Sequence, residues 1–337
     1  MSTSTTPAGK GYGAGVLFCL IATVAWGAMF PVMTHALKVI DPFTFTAMRY
    51  GLAGIVFVLF LLFREGPKAL SLKGERWGLA WLCGTAGFAG FGFLVFLGQQ
   101  MAGPEGALSA SIMMATMPLL GLLVGWGLTG KRPPAVSFAF ILMSFLGAAV
   151  VLTNGNLMSV INAPQNYSAD LIIIFGAFCW VFYTIGATFF PHWSPYRYTA
   201  ITTVLGMTSV LAVNFVLIAA GIISIPSAAT VTTIAPHLAY MALVAGFVAV
   251  LCWNIGNKRI TPMNGVLFMD VVPLTAFILS SLTGVLPSSM QILGAAITAS
   301  ALILNNLTQR ARLARQASSA AAVKAGAGVG KVLPKAA

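Results

Sequence analysis

Charge is what this sequence has least of. Six acidic and 18 basic residues among 337 make only 7% charged, against roughly a quarter in an ordinary soluble domain. That supply cannot solvate a water-exposed surface, which excludes a soluble globular enzyme and turns most of the exterior toward lipid. Acids and histidines are so few, six and three, that paired-carboxylate or His-rich metal chemistry has little to draw on. Neither H-E-x-x-H nor G-x-S-x-G occurs. The spacing Gly125-x-x-x-x-Gly130-Lys131 imitates a P-loop, but Arg132 stands where Ser or Thr must hold magnesium, and no strand precedes it. The four cysteines, Cys19, Cys83, Cys179 and Cys252, all fall in apolar runs, where free thiols act as small apolar groups and no disulfide or metal framework is implied. No cofactor, metal or enzymatic activity is therefore expected. Alternating ten-residue segments are also lacking, which argues against a β-barrel.

What the chain does have is apolar length: 58% hydrophobic residues, 35 Gly and 17 Pro. Crossing the hydrocarbon core takes about 20 apolar residues per helix. Stretches of that kind run over 12–37, 42–63, 77–98, 107–128, 133–153, 170–190, 197–221, 237–256, 262–284 and 289–307. The expected fold is thus an all-α integral membrane protein of ten transmembrane helices. With alternate connections assigned to alternate sides, 16 of the 18 basic residues, among them Lys68, Arg76, Lys131, Arg197, Lys258 and Arg310, collect on one side, and only Lys38 falls on the other. The positive-inside rule makes that side, with both termini, cytoplasmic. The net charge of +12 is then topological, and a nucleic-acid partner is not indicated. The first span is expected to be an uncleaved anchor, because no small-residue cleavage site follows it. The basic tail is expected to be disordered or to lie along anionic lipid.

The chain also repeats itself. Trp26 matches Trp180 at an offset of 154, and Pro42-Phe43-x-Phe45-Thr46-Ala47 matches Pro195-Tyr196-x-Tyr198-Thr199-Ala200 at 153. Ala86-Gly87-Phe88 matches Ala245-Gly246-Phe247, Gly106 matches Gly265, and Pro118-Leu119 matches Pro273-Leu274. Each unit holds five spans, an odd number, so the second enters the membrane upside down relative to the first. Inverted repeats of this kind build many secondary transporters, with a central cavity at their interface near the midplane. The expected organisation is a cytoplasmic tail (1–11), a first five-helix repeat (12–154), an outer linker (155–169), a second inverted repeat (170–308) and a basic cytoplasmic tail (309–337).

With Trp26, Arg49, Pro118, Pro273 and Trp180-x-x-Tyr183 in place, the repeats resemble the two EamA-type halves of the drug/metabolite transporter superfamily over roughly residues 15–308. Gly176-Ala177-Phe178-x-Trp180-x-x-Tyr183 and Trp253-Asn254-Ile255-Gly256 look most like bacterial exporters of aromatic and other neutral amino acids, although Met117 stands where those carry Trp. The resemblance implies a bacterial inner-membrane exporter with a small-molecule substrate. Drug-like cations and purines are the competing substrates, and an intramembrane enzyme is the alternative of another class.

Candidate substrate contacts are Trp26, Phe88, Phe91, Trp180, Tyr183 and Trp253, whose rings can stack on a flat solute, with Met113, Met114 and Met117 as an adaptable wall and Asn254 as a polar contact. Gln99, Gln100 and Asn257 read instead as polar caps at span ends. Intramembrane charge is costly and marks function by default. Arg49 and Asp270 are such residues, and they either meet substrate or pair with one another as a structural ion pair. Pro31, Pro118 and Pro273 remove backbone donors inside spans and are hinge candidates. With so few titratable groups, movement without obligatory proton coupling is expected. Besides substrate, membrane lipids are the partners implied, and the oligomeric state is left open.

Overall fold

The computed structural model describes residues 11–301 except 104–105, 131, 133–134, 157, 159–166 and 283–286, together with scattered positions between 303 and 318. Among the described residues there is helix and no strand. Seven helices among the described residues are long and apolar enough to cross a membrane. They are α1 (Tyr12–Ala36), α2 (Pro42–Glu65), α3 (Trp77–Met101), α4 (with its apolar stretch at Ser109–Leu128), α6 (Ser168–Phe189), α7 (Pro195–Ala219) and α8 (Ala228–Ile260). Between and after them lie α5 (Ala135–Thr153), α9 (continuous from Pro262–Gly265 through Val271–Leu282) and α10 (Ser289–Ala301). Large apolar side chains such as Ile55, Leu59, Phe63, Leu171 and Phe215 stay exposed on the helix exteriors, as a lipid-facing surface requires.

Local sequence explains several helix starts. Asp41 caps α2 by accepting from Phe43 N at 2.9 Å and Thr44 N at 2.8 Å, with Pro42 in the first turn. Ser194 caps α7 through Arg197 N at 2.9 Å, again with proline next. Both use a side-chain acceptor followed by a residue whose missing N–H costs nothing there, so the repeated Pro-aromatic motif is the signal that starts a helix in each unit. The start of α8 departs from expectation. Ser227 accepts from Thr230 N at 3.1 Å and begins the helix nine residues before the expected 237. Pro236 is carried inside this longer helix.

The irregularities come in pairs too. A π-helical turn interrupts α3 at Thr85–Gly90 and α8 at Tyr240–Val248, and each contains one of the matched Ala-Gly-Phe triplets. A tight 3-10 turn at Met114–Thr116 precedes Pro118 in α4, and another at Val266–Asp270 precedes Pro273 in α9. Pro31, by contrast, lies within a continuous α1.

Most of the extensive packing joins one half of the chain to the other. α1 packs on α8 and α9, α3 on α6, and α7 on α2 and α3. In lipid there is little hydrophobic drive between helices, and close backbone approach at small residues supplies the contact instead. A Cβ at Gly176 would come within 2.6 Å of Val95 in α3, and one at Gly256 within 2.9 Å of the Gly15 carbonyl in α1. Gly84 in α3 and Gly206 in α7 lie backbone to backbone.

Candidate functional site

At the centre, α1, α2, α3, α4, α6, α8 and α9 converge on a small cavity of about 10 Å³, roughly the room one water centre requires. Trp26, Phe91, Trp180 and Met114 form much of its wall, with Arg49 and Tyr50 entering from α2. Trp26 meets Trp180 edge-on, with ring centroids 5.1 Å apart, and Trp253 at 5.2 Å. Phe91 lies 5.2 Å from Trp180. The edge-to-face contacts of Trp26 fix ring orientation as well as filling space.

The paired π turns serve this centre. A π turn shifts backbone bonding from i+4 to i+5, and within the α8 turn two carbonyls receive side chains from the other half. Ala245 O accepts from Trp26 Nε1 at 2.9 Å, and Met241 O from Arg49 Nε at 3.0 Å. Arg49 is 1% exposed, and its guanidinium carbon lies 4.6 Å from the Tyr50 ring centroid and 5.5 Å from that of Phe96. Three donors on residues bordering the cavity, Arg49 Nη1, Tyr50 Oη and Trp180 Nε1, have no hydrogen-bond partner among the described residues.

Below Trp180 the site continues as a hydrogen-bonded layer. Tyr183 packs on Trp180 at 5.0 Å and on Phe88 at 5.3 Å. Its hydroxyl accepts from Asn254 Nδ2 at 2.7 Å, and the same amide donates to Thr199 Oγ1 at 2.8 Å. Trp253 Nε1 donates to Thr184 Oγ1 at 3.0 Å. Beyond this layer lies a second cavity of about 230 Å³, bordered by Phe190, Trp193, Tyr198, Asn254, Asn257 and Lys258. Tyr183, Asn254 and Thr199 therefore stand as a partition between the two spaces. On the same side, Arg197 ties the α2–α3 connection to α7. It donates to Glu75 at 2.9 Å, to Ala69 O at 2.9 Å and to Ser71 O at 2.7 Å, and stacks on Trp193. Desolvation works against the charged Glu75, but the adjacent Trp193 and the Arg197 cation outweigh it and hold the carboxyl below its usual range.

The candidates from sequence thus divide. Trp26, Phe91, Trp180 and Arg49 border the central cavity. Phe88, Tyr183 and Trp253 pack behind or below it, and of the three methionines Met114 borders the cavity while Met113 and Met117 are fully buried away from its wall. Asn254 borders the second cavity, not the first. Pro118 and Pro273 are buried next to their 3-10 turns. The Asp270 side chain, and with it the expected pairing to Arg49, lies outside the described residues. Gln99 is not a span-end cap: it is 2% exposed and crosses to α1, donating to Phe30 O at 2.8 Å. Asn257 is buried as well, donating to Trp253 O at 2.8 Å. Gln100 does cap a helix end, that of α1, through Leu37 O at 2.9 Å. Sequence reasoning missed Tyr50. Asp170 is 8% exposed in the first turn of α6, and His237 lies inside α8 with its ring 6.0 Å from that of His35.

Fold and site together define a multi-pass helical membrane protein with a central aromatic cavity shared by two related halves. The chain belongs to the EamA-like transporter family, which it matches twice, over 13–153 and 167–307. It is a membrane transporter of that family, consistent with the drug/metabolite transporter superfamily. It is 37% identical over 297 residues to the uncharacterized transporter YrdR of Bacillus subtilis (strain 168), covering 88% of this chain and 92% of that one. It is 28% identical over 278 residues to the uncharacterized transporter YyaM of the same organism, covering 80% and 86%. A solved crystal structure of a protein with 21% sequence identity is similar to it with a TM-score of 0.64, covering 88% of this chain and 98% of that one, a likeness of fold.

Proposed function

We propose that this transporter is a secondary carrier of the bacterial inner membrane that exports neutral or aromatic amino acids by alternating access, without obligatory proton coupling. In this reading ten helices form two inverted five-helix repeats, 12–154 and 170–308, joined by an outer linker at 155–169, with both terminal tails cytoplasmic. The observation that carries it is the meeting of Trp26 and Trp180, matched positions of the two halves, ring against ring at the central cavity. A site shared by related halves near the midplane is what exchange between two access states requires. The paired π turns and paired 3-10 turns support the repeat, since they give both halves the same soft points in their helices.

The deciding experiment is counterflow in proteoliposomes with radiolabelled aromatic and aliphatic amino acids, purines and cationic drugs. Exchange of unaltered aromatic amino acids is expected. Movement of purines or cations alone would replace the substrate, and chemical conversion would make the protein an enzyme. An arm with an imposed pH difference and no substrate gradient is expected to give no uphill accumulation. Accumulation that disappears with a protonophore, and in Asp270→Asn, Asp170→Asn or His237→Gln, would establish proton coupling and name its carrier.

Orientation has its own test. Cysteines introduced at positions 158 and 228 are expected to react with an impermeant thiol reagent applied outside intact cells, and cysteines at 70 and 325 are not. Labelling at 70 would reverse the orientation.

A further inference from the structure

Among the described residues the central cavity has donors and almost nothing to receive them. Arg49, Tyr50 and Trp180 border it and are at most 2% exposed, and among the described residues Arg49 Nη1, Tyr50 Oη and Trp180 Nε1 have no partner. The other side chains of its described wall are apolar except the Trp26 indole, whose N–H is already used by Ala245 O. Buried donors are normally satisfied, and each one left without a partner is destabilising. Three that share one small space call for a common acceptor.

The geometry points to a carboxylate-binding site in which Arg49, Tyr50 and Trp180 hold the carboxylate of the transported solute. This rests on the carrier reading above and extends it by naming the group that the site recognises. Arg is a permanent cation whose planar N–H array matches a carboxylate. Its Nε is committed to Met241 O, which fixes the guanidinium plane and leaves Nη1, without a partner among the described residues, free for an acceptor. The indole N–H can only donate, and the phenol supplies a second neutral donor. Hydrogen bonds to an ionised acceptor are about twice as strong as neutral ones. A cationic amine without a carboxylate would face like charge and the same donors, so the site selects against it.

The arrangement also links recognition to closure. Arg49 and Tyr50 come from α2 in the first half, and Trp180 from α6 in the second. With room for roughly one water, the cavity admits a solute only when these helices separate, and a bound carboxylate then draws both halves together.

The test is calorimetric binding to the intact protein in nanodiscs, with four matched probes: phenylalanine, phenylalaninamide, phenethylamine and 3-phenylpropionate. Phenylalanine and 3-phenylpropionate are expected to bind, and the amide and the amine roughly tenfold or more weaker. Tyr50→Phe and Trp180→Phe, which keep the rings and remove one donor each, should weaken both carboxylates by roughly tenfold and leave the amide unchanged. Arg49→Lys should retain part of the preference, and Arg49→Met should lose it. Equal binding of the amide or the amine, binding of none of the four, or unchanged carboxylate binding in both Phe variants would overturn the site. Failure of the carrier reading looks different: carboxylates bind with this donor dependence yet do not cross proteoliposomes. Transport of phenethylamine without any preference for carboxylates would instead remove the carboxylate site and leave the carrier.

Discussion

Trp26→Ala is expected to abolish measurable counterflow and to lower stability by about 3–5 kcal/mol, the usual range for truncating a buried Trp. The indole is 5% exposed, touches Trp180 and Trp253, and donates to Ala245 O. Truncation removes both ring contacts at once, enlarges a cavity that now has room for about one water, and strips a carbonyl in the π turn of its partner. Two losses are therefore superimposed, and Trp26→Phe separates them. It keeps most of the ring packing and removes only the N–H, so its stability should fall by about 1–2 kcal/mol, the cost of one orphaned buried group. Its transport should survive in part. Thermal unfolding in detergent and counterflow in proteoliposomes measure the two effects. A Trp26→Ala protein that exchanges substrate normally would remove the aromatic cavity from the mechanism.

The features legible in the sequence were those with a local physical cause. Asp41-Pro42 and Ser194-Pro195 announce helix starts because capping depends on adjacent residues, and the capped helices begin there. The apolar runs announce spans because the bilayer sets their length. Arg49 was visible as a lone cation in an apolar run. What escaped depends on partners far away in the chain. Nothing near Ala245 signals that its carbonyl will receive Trp26, 219 positions away. Tyr50 looks like any aromatic at a span, and only the burial of its hydroxyl without a partner marks it out. Asn254 reads as a polar substrate contact, yet its amide is taken up by Tyr183 and Thr199 and it does not border the central cavity.

Gly84→Leu is expected to prevent accumulation of folded protein, although leucine is a far better helix former than glycine. The reason lies across the interface with α7. A Cβ at Gly84 would stand 2.8 Å from the Thr202 carbonyl carbon and 3.0 Å from Gly206 N, and it would overlap the Thr202 carbonyl oxygen more severely still. These are backbone atoms of a membrane helix and have no rotamer through which to retreat. A Cβ at Gly206 would meet Gly84 in the same way, so the two glycines form one contact and α3 and α7 must part to admit either side chain. Separation would be felt at the site, since the π turn that follows Gly84 carries Gly87 and Phe88 against Tyr183. For Gly84→Ala the expected loss is about 1–3 kcal/mol, the usual range for overpacking. Gly78 in the same helix is the control: nothing lies within 4 Å of a Cβ there, and Gly78→Ala should be neutral or stabilising by up to about 1 kcal/mol. Size-exclusion profiles and melting temperatures of the three variants read the outcome. If Gly84→Ala melts at or above Gly78→Ala, the α3–α7 contact is not the close backbone junction described, and the packing that positions the aromatic cavity must be redrawn.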